Sequence, residues 1–187
     1  MSRQYWQELI AWATASGTPV ASSTTETIMM PNVTIPANYM QDGRTIHLVY
    51  IGQYSELGSG TVTMIHQVRW GGVAGTVICK TGTITTLISA AAWLEMFEVW
   101  ITTRSNGSSG TVMGNGVCMV FSSTAPTVGS ATGAPAVTSM TAGGQITPAV
   151  ATLDLTADTA LSITTTHGST SASDTSTGLQ YTIESWN

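Results

Sequence analysis

The stretch TVTMIHQVRW (residues 61–70) decides the fold class. Val62, Met64, His66, Val68 and Trp70 fall on one side of an extended chain, and Thr61, Thr63, Gln67 and Arg69 on the other. Successive side chains of a strand point to opposite faces, so this alternation is what a half-buried β-strand requires. The same reading extends in both directions. RTIHLVYIGQY (44–54) sets Ile46, Leu48 and Tyr50 against His47, Val49 and Ile51, with both rows apolar enough for a strand covered on two faces. WLEMFEVWITTR (93–104) sets Trp93, Phe97, Val99 and Ile101 against Leu94, Met96 and Trp100. A helix competes for its first half, but the Val-Trp-Ile-Thr-Thr ending decides for strand. SNGSSG (105–110) holds an Asn-Gly hairpin turn, and TVMGNGVCMVFSS (111–123) returns as the partner strand.

The remaining segments fit the same class. TIMMPNVTIP (27–36) is extended and broken by two prolines, as on a sheet edge. GTVICKTGTITTLI (75–88) is rich in β-branched residues, and AVATLDL (149–155), TALSITTTHG (159–168) and TGLQYTIESWN (177–187) supply closing strands. Residues 124–149 read as a long Pro/Gly/Ala/Ser/Thr surface excursion with one short strand around 135–138, and 167–177 as a small polar connection. No period of 20–50 residues repeats, so a solenoid or propeller has no support. About eight strands spaced by Gly, Asn and Asp turns predict an all-β antiparallel β-sandwich, and long crossing loops favour a jelly roll.

One helix is expected, over 3–15 (RQYWQELIAWATA), with Ser2 as N-cap and Gly17 and Pro19 as the stop. Tyr5, Leu9 and Trp12 recur at i, i+4 and i+7, with Trp6, Ile10 and Ala13 beside them, giving an amphipathic stripe. That stripe serves either as an anchor on a neighbouring protein or as a helix packed on its own sandwich. The Ser/Thr-rich connector ASSTTET (21–27) follows, so the expected organisation is a helix and arm over 1–26 and a sandwich domain over 27–187. Glu8 interrupts the apolar run and Arg3 is a lone basic residue, which speaks against a secretory leader. Assembly in a cytoplasm is therefore expected.

Composition narrows the function. Only 8% of the chain is charged, against about a quarter in an ordinary soluble domain. Ser and Thr supply more than a quarter of the residues instead. Such a surface suits a subunit packed against other subunits. A net charge of −5, with Arg3, Arg44, Arg69, Lys80 and Arg104 scattered singly, argues against nucleic acid as a partner. No segment reaches 18 uninterrupted apolar residues, so a membrane helix is not expected. Cys79 and Cys118 sit in apolar stretches and read as buried free thiols.

Catalytic patterns are sparse. His66 lies on the apolar row of its strand and reads as a core or interface histidine, while His47 and His167 stand on separate segments. Asp154 and Asp158 flank a turn, and the oxygen ligands a calcium loop needs at every second position are missing. Glu95 and Glu98 are three apart on a strand, hence on opposite faces, which disfavours a glycosidase pair. Neither a GxSxG elbow, an HExxH motif nor a P-loop occurs. The expectation is a non-enzymatic protein without cofactor or metal.

Several stretches resemble small virion proteins of tailed bacteriophages, of the jelly-roll head-decoration, cement or fibre type. They are VTIPANYMQDGRTIHLVYIGQY (33–54), VRWGGVAGTVIC (68–79), TRSNGSSGTVMGNG (103–116), DLTADTALSITTT (154–166) and GLQYTIESWN (178–187). The resemblance covers most of the chain after residue 26 and carries no catalytic residues across. It implies a β-sandwich subunit, often a homotrimer, built into a virion. Its partners would be copies of itself and the major capsid protein or another virion protein. Tyr5, Trp6, Leu9, Ile10 and Trp12 are the candidate partner-binding residues. The alternative is a receptor-binding module of a tail or head fibre, which would use exposed aromatics to hold saccharides.

Overall fold

In the computed structural model, residues 6–21, 23–56, 62–86, 90–121, 127–128, 131–132, 136–141 and 149–187 are described. They form sixteen strands, and no described residue is helical. The strands are β1 (Gln7–Ala13), β2 (Val20–Ala21), β3 (Thr27–Ile28), β4 (Val33–Ile35), β5 (Thr45–Glu56), β6 (Thr63–Trp70), β7 (Thr76–Lys80) and β8 (Ile84–Thr85). They continue as β9 (Ala90–Ser105), β10 (Gly110–Val120), β11 (Thr127–Val128), β12 (Ala131–Thr132), β13 (Ala136–Thr141), β14 (Val150–Leu153), β15 (Thr159–His167) and β16 (Thr175–Trp186). Every ladder is antiparallel, and the main path runs β1-β16-β5-β9-β10-β13-β7-β6. β15 pairs with β6 on one side and with β3 and β4 on the other, and β14 pairs with β10.

The alternation read from the sequence is largely the alternation of burial, with two corrections: Gln67, on the outward row of β6, is buried as well, and β5 is covered on one face, its other row being only half-buried. Met64, His66, Val68 and Trp70 of β6 are buried, as are Ile46, Leu48, Tyr50 and Tyr54 of β5 and Phe97, Val99 and Ile101 of β9. β9 and β10 meet through the Asn106-Gly107 turn, where Gly107 has φ +109°, a value that costs other residues dear because Cβ would clash. β13 begins at Ala136 and pairs with β10 from Asn115 to Val120, close to the short strand expected around 135–138. The rest of 122–148, outside the stretches given above, lies outside the described residues.

The sheet bends over itself. His66 on β6 lies 3.1 Å from Glu95 on β9, and its ring centroid is 6.0 Å from that of Phe97, although β6 and β9 are not ladder neighbours. Tyr50 stacks on Phe97 at 4.3 Å between centroids. One core therefore lies between the inward rows of β5, β9, β10 and β16 and those of β6 and β15.

The expected N-terminal helix is not there. Residues 7–13 form strand β1, paired with β16 from Gln7↔Trp186 to Ala13↔Tyr181, with a bulge between Leu9 and Ala11. The helical spacing of Leu9 and Trp12 and the helix propensities of Ala, Leu and Glu were real signals. Propensity is a weak prior, however, and the open edge of β16 satisfies more backbone groups at this site than an isolated short helix would hold in water. The bulge also shifts the register, so Leu9 and Trp12, three apart, both face outward. Tyr39 donates a hydrogen bond to Glu8 at 2.6 Å, fixing the inward row of β1.

Candidate interaction face

The candidate face is built by the outward rows of six strands, β1, β16, β5, β9, β10 and β13. Residues opposite one another in a ladder share a face. One row runs Gln180, Ile51, Met96, Met119, Val137, and the next Trp12, Thr182, Val49, Glu98, Val117, Ser139. A third runs Leu9, Glu184, His47, Trp100, Asn115. No described element covers this face: Leu94 is 41% and Val137 57% exposed, and Val49, Ile51, Met96, Val117 and Met119 are half-buried.

The face has two chemistries. Over β5, β9, β10 and β13 it is apolar, with Glu98 its one acidic residue. Glu98 is tied to His47, whose Nε2 lies 2.7 Å from the carboxylate. Towards β1 and β16 it becomes aromatic and polar. His47 stacks on Trp100 at 5.2 Å between centroids and meets Trp186 at 4.9 Å. Gln7 donates to Glu184 at 2.8 Å. Beside them a groove of about 490 Å³ runs between β1 and β16, lined by Leu9, Trp12, Ala13, Thr14, Gln180, Tyr181, Thr182 and Glu184.

The five residues singled out in the sequence meet different fates. Tyr5 lies outside the described residues. Trp6 is 42% exposed, with the Arg44 guanidinium 5.4 Å from its ring centroid. Leu9 and Trp12 stand at the open edge of the sheet, Trp12 at 64% exposure. Ile10 packs against the core instead. The stripe is thus divided between the two sides of β1. The groove partners Gln180, Thr182 and Glu184 were missed. Their outward row was visible in GLQYTIES, but nothing in the sequence showed that β16 would lie beside β1.

The titratable groups of the interior form a separate, closed set. Glu95 is fully buried and accepts a hydrogen bond from Tyr50 at 3.1 Å. Its other oxygen is 3.1 Å from His66 Nε2 but out of line for a hydrogen bond, so this is a polar contact without an aligned proton. Burial, reinforced by the Glu95 carboxylate, pushes the Tyr50 hydroxyl well above its usual range and keeps it a donor. His167 Nε2 lies 2.9 Å from Ser176 Oγ, and burial, with His66 nearby, holds His167 below its ordinary value. Thr86 donates to Glu56 at 3.1 Å, and both residues line a cavity of about 10 Å³, room for a single water.

Glu98 points outward and Glu95 inward, as their spacing required. Asp154 accepts from the Thr156 hydroxyl and backbone N–H, an Asx turn, and Asp158 accepts from Ala37 N–H at 2.8 Å. Among the described residues no three His, Cys, Asp or Glu side chains converge as metal ligands. Cys79 and Cys118 are buried free thiols.

The sequence matches no protein-family profile and no curated protein. Among solved structures, the chain is similar to the CBM2 module of the evolved Dit of Lactobacillus casei BL23 phage J-1. The identity is 8% and the TM-score 0.31, over 82% of this chain and 67% of that one. A likeness this shallow fixes neither topology nor function.

Proposed function

We propose that this chain is a structural subunit of a bacteriophage virion. In this reading its bent sheet is a jelly-roll sandwich, and the subunit works as a capsid decoration or cement protein that assembles as a homotrimer and stabilises the head. The observation that carries the proposal is the open apolar area of Val49, Ile51, Met96, Val117, Met119 and Val137, on a chain in which only 8% of residues are charged. A sheet face of this kind gains by being covered, and a stable protein interface takes about 800 Å² from each partner. The phage-like stretches of the sequence support the virion setting. Trp6 and Leu9, exposed at the β1 edge, serve as contacts to the major capsid protein or another virion protein.

The test is the mass in dilute solution by sedimentation velocity. Three copies of the 19.5 kDa chain are expected to travel together, and Met96→Glu with Val117→Lys should release monomers that keep the wild-type circular dichroism spectrum. A wild-type protein that stays monomeric at micromolar concentration sinks the proposal.

A further inference from the structure

We infer that the groove between β1 and β16 binds a neutral saccharide, with Trp12 as the stacking platform. Trp12 is the most exposed large apolar side chain among the described residues, at 64%, and stands directly opposite Thr182 in the ladder. A bare indole at a sheet edge is costly to leave in water, and it is the side chain best suited to the C–H face of a pyranose. The groove sets three hydrogen-bonding groups beside that ring: the Gln180 amide, the Thr182 hydroxyl and the Glu184 carboxylate.

Glu184 is already oriented. Its Oε2 accepts from Gln7 at 2.8 Å and lies 3.9 Å from His47 Nδ1, while Oε1 has no hydrogen-bond partner among the described residues. An aromatic face flanked by a fixed carboxylate, an amide and a hydroxyl matches a ligand with one apolar side and a rim of hydroxyls. The volume of about 490 Å³ falls within the roughly 300–1,000 Å³ of small-molecule sites. Charge selects within the class. Glu184 lines the groove, Glu98 stands beside it across His47, and the chain carries a net charge of −5, so sialylated and uronate sugars are disfavoured. The site is complete within one subunit and borders the apolar area assigned to assembly, with Gln180 opposite Ile51 and Thr182 opposite Val49 in the ladder.

The full-length protein is applied to a printed array of neutral, sialylated and uronate glycans. The neutral oligosaccharide bound most strongly is then titrated in solution by tryptophan fluorescence. Binding to neutral glycans is expected, with Kd on the order of 1 mM or tighter. Trp12→Ala should weaken it about fivefold or more, the low end of what losing an aromatic stacking partner costs. Gln180→Ala should weaken it less, and Leu94→Ala, outside the groove, should leave it unchanged. Trp12 is largely exposed, so its variant is expected to keep the wild-type melting temperature and sedimentation coefficient. The inference is overturned by an array on which no neutral glycan binds, by preference for acidic glycans, or by a folded Trp12→Ala protein with wild-type affinity.

Discussion

Replacing Glu95 by Leu tests how the polar centre is held. Glu95 is fully buried, so no solvent can take its place. The substitution removes the hydrogen bond that Tyr50 donates, leaving that hydroxyl only the Met29 sulfur at 3.5 Å, a weak acceptor. It also leaves His66 Nε2 facing an apolar side chain where a carboxylate oxygen stood 3.1 Å away. Losing one partner of such a buried set costs about 3–5 kcal/mol. In a chain of this size each kcal/mol moves Tm by about 2–4 °C, so a fall of about 6–20 °C is expected. The assay is a double-mutant cycle by urea unfolding, with Glu95→Leu, His66→Leu and the pair. Replacing both partners removes the stranded imidazole, so the double variant should be more stable than the two single losses predict, by about 1–3 kcal/mol. A loss below about 1 kcal/mol for Glu95→Leu, or strict additivity in the cycle, would refute the coupling between these side chains.

Two further outcomes rest on the interior. Burial raises the Glu56 carboxyl, the Thr86 hydrogen bond opposes this, the charge of Asp174 adds to it, and the net direction is upward from the usual 4.5. The native state then binds a proton more tightly than the unfolded chain, so Glu56 weakens the fold as pH rises past 4.5. Glu56→Gln keeps an acceptor for Thr86 and should be more stable than wild type at pH 7, with the gap closing below pH 4.5; equal stability at both pH values in thermal melts would contradict it. Burial pushes both the Cys79 and the Cys118 thiol far above the ordinary range, and the Glu95 carboxylate adds to this at Cys118. Neither should react with a disulfide reagent at pH 8 in the folded protein, and both should react in guanidinium; rapid native labelling would show that the core opens.

Much of the sheet was legible because its long strands each bury one row. In β5, β6 and β9 most inward residues are large and apolar or aromatic, and a slip of one residue would turn them to the other face. The inward His66 and outward Glu98 were legible for the same reason, since strand parity fixes the face whatever the side chain. Residues 7–13 failed because their two short apolar rows fit a helix or a bulged strand equally well, and the partner that decides is β16, at the other end of the ladder. The groove was hidden by the same distance. Trp12 stood out only as part of a helical stripe and Thr182 not at all, and only the pairing brings ring, amide and carboxylate together.

The same pairing governs how the molecule is made. Gln7 and Glu184 bond across 177 positions of sequence, so β1 has no mate until β16 has left the ribosome. Long-range closure of this sort slows folding to something on the order of milliseconds to seconds. Until then β1 is a strand without a partner, and its backbone donors and acceptors stay exposed to other chains.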